Sequence, residues 1–487
     1  MKISKIHRLL GLFFAVSFLW ISCGSSDSSD EPANLEGTIH LVSQTIADGE
    51  EVDAAATTQV TLTYDKMISL NSDKSITLNG ANVSASVAAN STSVNIPLAL
   101  EEGQKYTLVV PTGAVCGKIT TEATAVGVTL TFTTKEKAVI TYNFDALTNS
   151  KATTQAKALY QLFRDNYGVK MFSGAMGGVA WETGYADYIN TTTGKYPAIV
   201  GFDYIHLASS PANWINYTDI APVKSVWDNN GIVQIGWHWR VPATEADYTG
   251  GDASKREFYS ENFAQPFDIN AALTEGTWQN NCIKADIQKI AESLKLLQDA
   301  NIPVIFRPLH EAAGDYKWGA WFWWGTKGAE LYKKLWVYLH DQLTETYGLN
   351  NLIWVYTAQA SSAGNLASTS EILNWYPGDN YVDMVGVDLY FDSADKNNGT
   401  YTNLEAYNRM MEAFGGKKMI MMSECGRLPN ASTSLSAGDK WGYFMTWYNM
   451  TSSSTWALNS EWDNAATLKS KMNDAGVLNR GDFTVTK

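Results

Sequence analysis

The chain has 487 residues and carries 36 Lys and Arg against 50 Asp and Glu, a formal net charge of −14. This length excludes a small peptide-like scaffold, and 45% apolar with only 18% charged residues excludes a disordered chain. A protein that binds a phosphate backbone needs an excess of positive charge, which this composition lacks, so we expect no nucleic-acid partner.

The first residues resemble an export signal. Lys2, Lys5 and Arg8 precede an apolar run, residues 9–21, that is too short for an ordinary membrane-spanning helix. Its Trp-Ile-Ser-Cys ending resembles a bacterial lipoprotein cleavage box, in which Cys23 becomes the lipidated first residue. We therefore expect a signal peptide over 1–22, a flexible tether over 23–35 and a lipid anchor at the outer membrane, on the cell surface or the periplasmic face. A plain secretory signal with an incidental cysteine is the alternative.

Residues 36–136 alternate apolar and polar residues in short runs separated by Asn-Gly, Glu-Gly and Thr-Gly turns. The runs lie at residues 38–42, 59–64, 75–78, 93–98, 105–110 and 127–133. This period of two predicts a β-sandwich of about 100 residues, similar to bacterial Ig-like modules. Because the segment holds no cluster of titratable residues, we expect a spacer in preference to a glycan-binding module.

From residue 138 to 487 the pattern changes to apolar runs alternating with helix-length stretches. Eight runs lie at residues 169–177, 196–204, 231–239, 302–311, 351–359, 382–390, 418–426 and 441–449, and residues 282–299 and 330–346 are amphipathic at helical spacing. Eight such units predict an α/β fold, a (β/α)8 TIM barrel. A doubly wound open sheet is the alternative, but the glycine-rich phosphate turn after its first strand is missing.

In a barrel of this kind the C-terminal ends of the strands face the active site. The candidates at these ends are two glutamates, two histidines and three aromatic residues: Glu311, Glu424, His238, His310, Trp239, Tyr390 and Trp447. A pair of carboxyl groups among aromatic residues suits glycoside hydrolysis, and flat aromatic rings suit the CH-rich faces of sugars. We expect Trp321 and His310 beside Glu311, and Tyr390 and Arg307 beside Glu424.

Metal and disulfide chemistry are poorly supported. After Cys23 only three cysteines remain, Cys116, Cys282 and Cys425, without CxxC spacing. The stretch from His310 to Gly314 begins like the zinc-protease motif HExxH but lacks the second histidine. We expect no metal and no cofactor, and we expect the chain to be a monomer.

Four motifs make residues 140–485 resemble glycoside hydrolase family 26. They are Gly236-Trp-His-Trp239, Arg307-Pro-Leu-His-Glu311, Gly319-Ala-Trp-Phe-Trp-Trp-Gly325 and Ser423-Glu-Cys-Gly426. The resemblance implies a retaining endo-hydrolase of β-1,4-mannosidic bonds in mannan, glucomannan or galactomannan, with Glu311 as general acid/base and Glu424 as nucleophile. It also implies that the sugar is bound by His238, His310, Trp321, Tyr390 and Trp447, with Trp239 and Tyr448 as further substrate-binding residues.

One position departs from the family pattern. Many members carry Trp-Arg-Asn on the eighth strand, whereas this chain has Trp447-Tyr448-Asn449. The missing arginine implies weaker binding of the sugar next to the attacked one. A β-glucanase or β-1,3-xylanase of the same family is an alternative activity, and a non-catalytic surface glycan-binding protein is a further one. The last has no reason to retain both glutamates.

Overall fold

The computed structural model describes residues 36–487 except residues 55, 120, 137–140, 179–180, 212–214, 264, 266, 316–318, 362–365, 391–402, 453–454 and 458–463. The predicted signal peptide, tether and Cys23 lie outside the described residues. The chain divides into two compact units, Met1–Val139 and Ile140–Lys487.

The first unit is all-β, as predicted. Its strands are β1 (Glu36–Ile39), β2 (Leu41–Gln44), β3 (Glu51–Val52), β4 (Gln59–Tyr64), β5 (Ile68–Leu70), β6 (Thr77–Leu78), β7 (Ala81–Asn82), β8 (Ser86–Val87), β9 (Ser93–Pro97), β10 (Lys105–Val110), β11 (Val115–Gly117), β12 (Thr124–Ala125) and β13 (Val128–Thr134). Strands β4 and β10 have the bounds that the alternating pattern predicts.

These strands form three sheets around one apolar core. The orders are β1-β12-β11-β5, β3-β13-β10-β6-β7 and β2-β4-β9-β8. Strand β4 shows how the sequence produces this arrangement, because Val60, Leu62 and Tyr64 are buried while the residues between them are not. Side chains of a strand alternate between its two faces, so a period of two places one face in the core.

The second unit is the closed parallel barrel that the eight apolar runs predict. Its strands are β14 (Met171–Met176), β15 (Ile199–Asp203), β16 (Ile232–Trp237), β19 (Val304–Pro308), β20 (Leu352–Ser361), β21 (Met384–Leu389), β22 (Met419–Cys425) and β23 (Tyr443–Thr446). They pair in chain order, and β14 pairs with both β15 and β23, which closes the barrel. Continuous apolar runs form these strands because helices cover the outer face of a parallel barrel.

Shorter strands decorate this unit: β17 (Val241–Pro242), β18 (Arg256–Glu257), β24 (Asn449–Ser452), β25 (Thr455–Ala457) and β26 (Val477–Leu478). Its helices are α1 (Thr154–Asn166), α2 (Gly184–Thr193), α3 (Ala221–Asp228), α4 (Glu245–Gly250), α5 (Ile269–Ala272), α6 (Trp278–Asp299), α7 (Ala329–Asp341), α8 (Thr369–Trp375), α9 (Leu404–Phe414), α10 (Ala431–Ala437) and α11 (Ala465–Met472). Single turns lie at Leu207–Ser209, Ala253–Lys255, Ser260–Asn262, Gln342–Thr346 and Asp379–Tyr381.

The two helices predicted from amphipathic spacing are α6 and α7. Helix α6 begins four residues earlier than predicted, because the Thr277 side chain accepts a hydrogen bond from the amide of Asn280 and caps the first turn. Its buried residues recur every three or four positions, at Ile283, Ile287, Ile290, Leu294 and Leu297. Among the described helices, none is long and apolar enough to span a membrane.

Candidate active site

Three buried carboxylic acids meet at the C-terminal end of the barrel. Glu311 follows β19, Asp388 lies near the end of β21, and Glu424 lies near the end of β22. One carboxyl oxygen of each lies within 4.8 Å of those of the other two. The two glutamates predicted from strand ends on opposite sides of the barrel therefore converge.

Glu424 is held by two hydrogen-bond donors. The Nη2 atom of Arg307 donates to Oε1 of Glu424, and the hydroxyl of Tyr390 donates to Oε2 at 2.7 Å. Arg307 is 2% exposed, so its charge acts in a low-dielectric environment. A guanidinium and a hydroxyl that both donate to a carboxyl stabilise its ionised form. Arg307 and Tyr390 are the neighbours expected for Glu424.

Glu311 lies in an environment that favours the protonated form. Burial raises its pKa well above the usual range, and the charge of Asp388 and a hydrogen bond with Asp388 add to this effect. Arg307 and the indole of Trp321 act in the opposite direction; the Nε1 atom of Trp321 donates to Glu311 Oε2 at 3.0 Å. Burial and the neighbouring carboxylate dominate, so the raised pKa suits Glu311 to donating a proton.

The backbone carrying Glu311 is strained. Leu309 and Glu311 have φ angles of +49° and +52°, in the left-handed region that residues other than glycine rarely adopt. Hydrogen bonds from the amides of Glu311 and Ala313 to carbonyls of β20, each 2.8 Å long, hold this turn against the next strand. The turn lifts Glu311 out of the regular strand and directs it toward Asp388 and Glu424.

Asp388 lies between the two glutamates. It shares a hydrogen bond with Glu311, and it accepts from Arg307, which also donates to Glu424. Its Oδ2 accepts from Arg307 Nη1 at 2.9 Å, and its Oδ1 accepts from the Ser423 hydroxyl at 2.8 Å. A Cβ atom on Gly386 would come within 2.4 Å of the Ser423 Oγ, so only glycine leaves room for this contact. Asp388 was not predicted as a site residue, although an aspartate inside the apolar run 382–390 is a usable signal.

Two histidines and an aspartate form a second chain of contacts. Asp203, at the end of β15, accepts from the backbone amide of His238 at 3.0 Å and contacts its Nδ1 atom. The Nε2 atoms of His238 and His310 lie 3.2 Å apart. Burial, helped by the charge of Arg307, lowers the pKa of His310 well below its usual value, so this ring is neutral. Asp203 was also missed, although it ends an apolar run.

Aromatic residues flank these groups. Trp447 is half-buried; its ring centroid lies 6.0 Å from that of His238 and 5.6 Å from that of Tyr448, which stacks on it. Tyr259 is 40% exposed and packs against Phe322, with ring centroids 5.3 Å apart. Burial and then the charge of Glu311 raise the pKa of Tyr259, so this ring lies on the Glu311 side. Tyr259 was not among the residues predicted from the sequence.

Trp239 does not line the site. Its ring is 1% exposed and stacks on Trp237, with centroids 4.1 Å apart. Its Nε1 atom donates to Asp286 of α6 at 2.8 Å. The expectation that Trp239 contacts substrate is therefore wrong for this structure, because the residue after His238 points into the layer between strands and helices.

The three acids offer enough oxygen atoms to bind a metal ion. However, Arg307 donates to two of them, Asp388 and Glu424, and the pKa of Glu311 is raised by burial and Asp388, which favours its protonated form. A cation would displace the guanidinium and remove the proton. The residues therefore fit acid–base chemistry with Arg307 as the positive charge, and they do not fit a metal centre.

Comparison with known proteins gives consistent results. The model for glycosyl hydrolase family 26 matches residues 148–482. Mannan endo-1,4-β-mannosidase A from Piromyces sp is 35% identical over 345 residues, covering 69% of this chain and 50% of that protein. The chain thus spans about half the length of this curated relative.

Two solved structures are similar over nearly their whole length. The family 26 domain of an endo-β-mannanase/endo-β-glucanase from Prevotella bryantii is 34% identical with a TM-score of 0.58, covering 69% of this chain and 98% of that chain. A β-mannanase from a symbiotic protist of the termite Reticulitermes speratus, complexed with a gluco-manno-oligosaccharide, is 31% identical with a TM-score of 0.58, covering 71% and 100%.

The coupling between Asp388 and Glu311 yields a prediction. Asp388→Asn removes the negative charge nearest to the Glu311 proton, so the pKa of Glu311 should fall toward its usual value. Carbon NMR of chains labelled at the glutamate carboxyls measures this titration, with Glu311→Gln to assign the signal. Asp341→Asn, at an exposed carboxylate on α7, is the control. An unchanged or higher Glu311 pKa in Asp388→Asn would contradict the assignment.

Proposed function

Because the chain belongs to glycosyl hydrolase family 26, we propose that it hydrolyses β-1,4-mannosidic bonds inside mannan, glucomannan or galactomannan, with retention of configuration. The observation that carries this proposal is the contrast between two neighbouring acids. Arg307 and Tyr390 both donate to Glu424, while burial and Asp388 raise the pKa of Glu311, one of whose oxygens lies within 4.8 Å of one oxygen of Glu424.

In the first step, a carboxylate oxygen of Glu424 attacks the anomeric carbon and forms a glycosyl ester. Glu311 gives its proton to the glycosidic oxygen as the carbon–oxygen bond breaks, so the leaving sugar departs as an alcohol. In the second step, the Glu311 carboxylate takes a proton from water, whose oxygen attacks the same carbon and releases Glu424. Two inversions give net retention.

The separation of the acids supports retention. Inverting glycosidases keep their carboxyl groups about 6.5 to 9.5 Å apart to admit a water molecule, whereas retaining enzymes hold them about 5 to 5.5 Å apart. One carboxyl oxygen of Glu311 and one of Glu424 lie within 4.8 Å of each other. Such a gap suits direct attack by Glu424.

The substrate class follows from the relatives and from the walls of the site. The Piromyces relative is named a mannan endo-1,4-β-mannosidase, and the termite-protist structure holds a gluco-manno-oligosaccharide. Tyr259, Trp447 and Tyr448 offer flat apolar faces beside the acids, as sugar rings require. Reducing-sugar release from mannan, barley glucan and xylan distinguishes the mannanase from the glucanase and xylanase alternatives.

The N-terminal parts of the chain fit export and surface display. We propose that residues 1–22 are a lipoprotein signal and that Cys23 carries the lipid anchor in the outer membrane. Residues 23–35 then act as a tether, and the all-β unit acts as an Ig-like spacer before a monomeric catalytic barrel. Metabolic labelling with a palmitate analogue, with Cys23→Ala as the comparison, tests the anchor.

Glu424→Ala should lower the turnover number on mannan by ~10⁴-fold or more, because the covalent route disappears with its nucleophile. Azide should restore activity and yield the glycosyl azide of inverted configuration. Glu345→Ala, at an exposed glutamate, is the matched control and should have wild-type activity. A Glu424→Ala chain that retains a tenth of the wild-type turnover would exclude the nucleophile role.

Glu311→Ala should impair substrates with poor leaving groups far more than activated aryl mannosides, because only the former need protonation in the first step. Comparing kcat/KM for mannohexaose and for a dinitrophenyl mannobioside measures the difference. Equal losses on both substrates would remove Glu311 from the acid role.

A chain that begins at Lys135 should fold and cleave soluble mannan with unchanged kcat/KM, because every group assigned to the chemistry lies in the second unit. Thermal unfolding checks that the shortened chain is folded. A folded but inactive chain would mean that the first unit contributes to the active site.

A further inference from the structure

A second polar cavity lies in the helical layer of the barrel, and none of its lining residues belongs to the active site. Its volume is about 410 Å³, within the range of ligand pockets, about 300 to 1,000 Å³. The lining comes from helix α2, helix α3 and the C-terminal segment, and the residues that matter are Thr183, Asp187, Tyr196, Ser225 and Arg480.

Arg480 is the unusual member of this set. Its backbone amide donates to the Tyr196 carbonyl at 3.1 Å, and its guanidinium carbon lies 4.7 Å from the centroid of the Tyr196 ring. The guanidinium itself makes no hydrogen bond or ion pair with any residue that the structure describes, and its Nε atom is completely buried. Burial lowers the pKa of this side chain, Tyr196 and Asp187 act in the opposite direction, and the guanidinium stays charged.

The Nε–H group of Arg480 is buried without a hydrogen-bond partner among the described residues, and an unsatisfied buried donor is costly. Gly231 lies close to the Arg480 side chain. A Cβ atom on Gly231 would come within 3.1 Å of the Arg480 Nε. The guanidinium of Arg480 therefore lies at the wall of an open cavity, where its N–H groups can donate to acceptor atoms of a ligand.

The other wall offers acceptors. The carboxylate of Asp187 accepts a hydrogen bond from the Thr183 hydroxyl at 3.0 Å and also bonds the Tyr196 hydroxyl. Its remaining lone pairs are available to a donor from the cavity. An anionic ligand would satisfy Arg480 but would be repelled by Asp187. A sugar hydroxyl satisfies both, since its oxygen accepts from Arg480 while its hydrogen is donated to Asp187.

We infer that the cavity between α2, α3 and Arg480 is a second sugar-binding site, which holds mannan chains outside the catalytic cleft. The Tyr196 ring and the hydroxyls of Thr183 and Ser225 supply the apolar and polar contacts that such a ligand needs. The choice of mannan as the ligand rests on the proposed function. The existence of a polyhydroxyl site rests on Arg480 and Asp187 alone.

Calorimetric titration of the full Glu424→Ala chain with mannohexaose tests this inference, because that chain does not consume the ligand. We expect two binding sites. Adding Arg480→Met should weaken the second site by roughly tenfold or more and leave the first site unchanged. Lys224→Met, which removes an exposed charge on α3 outside the cavity lining, is the matched control and should retain both sites.

Thermal unfolding separates a binding role from a structural one. Methionine retains much of the arginine volume and removes a buried Nε–H donor that has no described partner, so Arg480→Met should not lower the Tm. In the active chain, Arg480→Met should retain kcat/KM on mannohexaose but bind less to insoluble mannan. A lowered Tm, or two sites of unchanged affinity, would overturn the inference. Inorganic phosphate that binds at Arg480 without mannohexaose doing so would overturn the choice of a sugar.

Reducing-sugar release from mannan tests the proposed function separately from the second site. If the wild-type chain releases no reducing sugar from mannan and mannohexaose binds nowhere, the proposed function has failed. If mannan is cleaved but only one binding site is found, the proposed function stands and the second site does not exist.

Discussion

The arrangement of the active site depends on one buried cation. Arg307 donates to Asp388 and to Glu424 from the two arms of its guanidinium, and it is 2% exposed. Without it, three acids within 4.8 Å would repel one another in a low-dielectric interior and take up protons. The guanidinium compensates the negative charge of two of them, while burial and Asp388 raise the pKa of Glu311. A single arginine thus sets the protonation pattern on which the proposed chemistry relies.

The barrel supports Arg307 from several sides. The Ser423 hydroxyl fixes one oxygen of Asp388 and contacts the Thr357 hydroxyl at 2.9 Å. Gly386 leaves the space for Ser423. These positions lie on adjacent strands, β20, β21 and β22, so the sheet register determines where the acids meet. The strained turn at Glu311 is held by the same β20, which explains how an unfavourable backbone conformation persists.

The sequence predicted the strands well because each parallel strand is buried on both faces and reads as a continuous apolar run. It also located Glu311 and Glu424, since both lie at the C-terminal ends of such runs, and the neighbours Arg307 and Tyr390. Side-chain direction was harder to predict. The pairing of β21 with β22 shifts register between Val387 and Asp388, so counting residues along the strand does not indicate which ones face the cleft. Asp388 was missed for this reason, whereas Trp239 was misplaced because it lies beyond the last residue of β16, where the alternation of the strand no longer applies.

In the proposed cycle, Glu311 must act first as an acid and then as a base, and the shared guanidinium explains how it can reverse. Formation of the glycosyl ester neutralises Glu424, so Arg307 then faces one carboxylate fewer. The attraction of Arg307 for negative charge already opposes the high pKa of Glu311. Once Glu424 no longer carries a negative charge, the positive charge of Arg307 is less compensated. Arg307 then favours the ionised form of Glu311 more strongly. Formation of the ester at Glu424 thereby lowers the pKa of Glu311, so the proton affinity of Glu311 changes as the reaction proceeds.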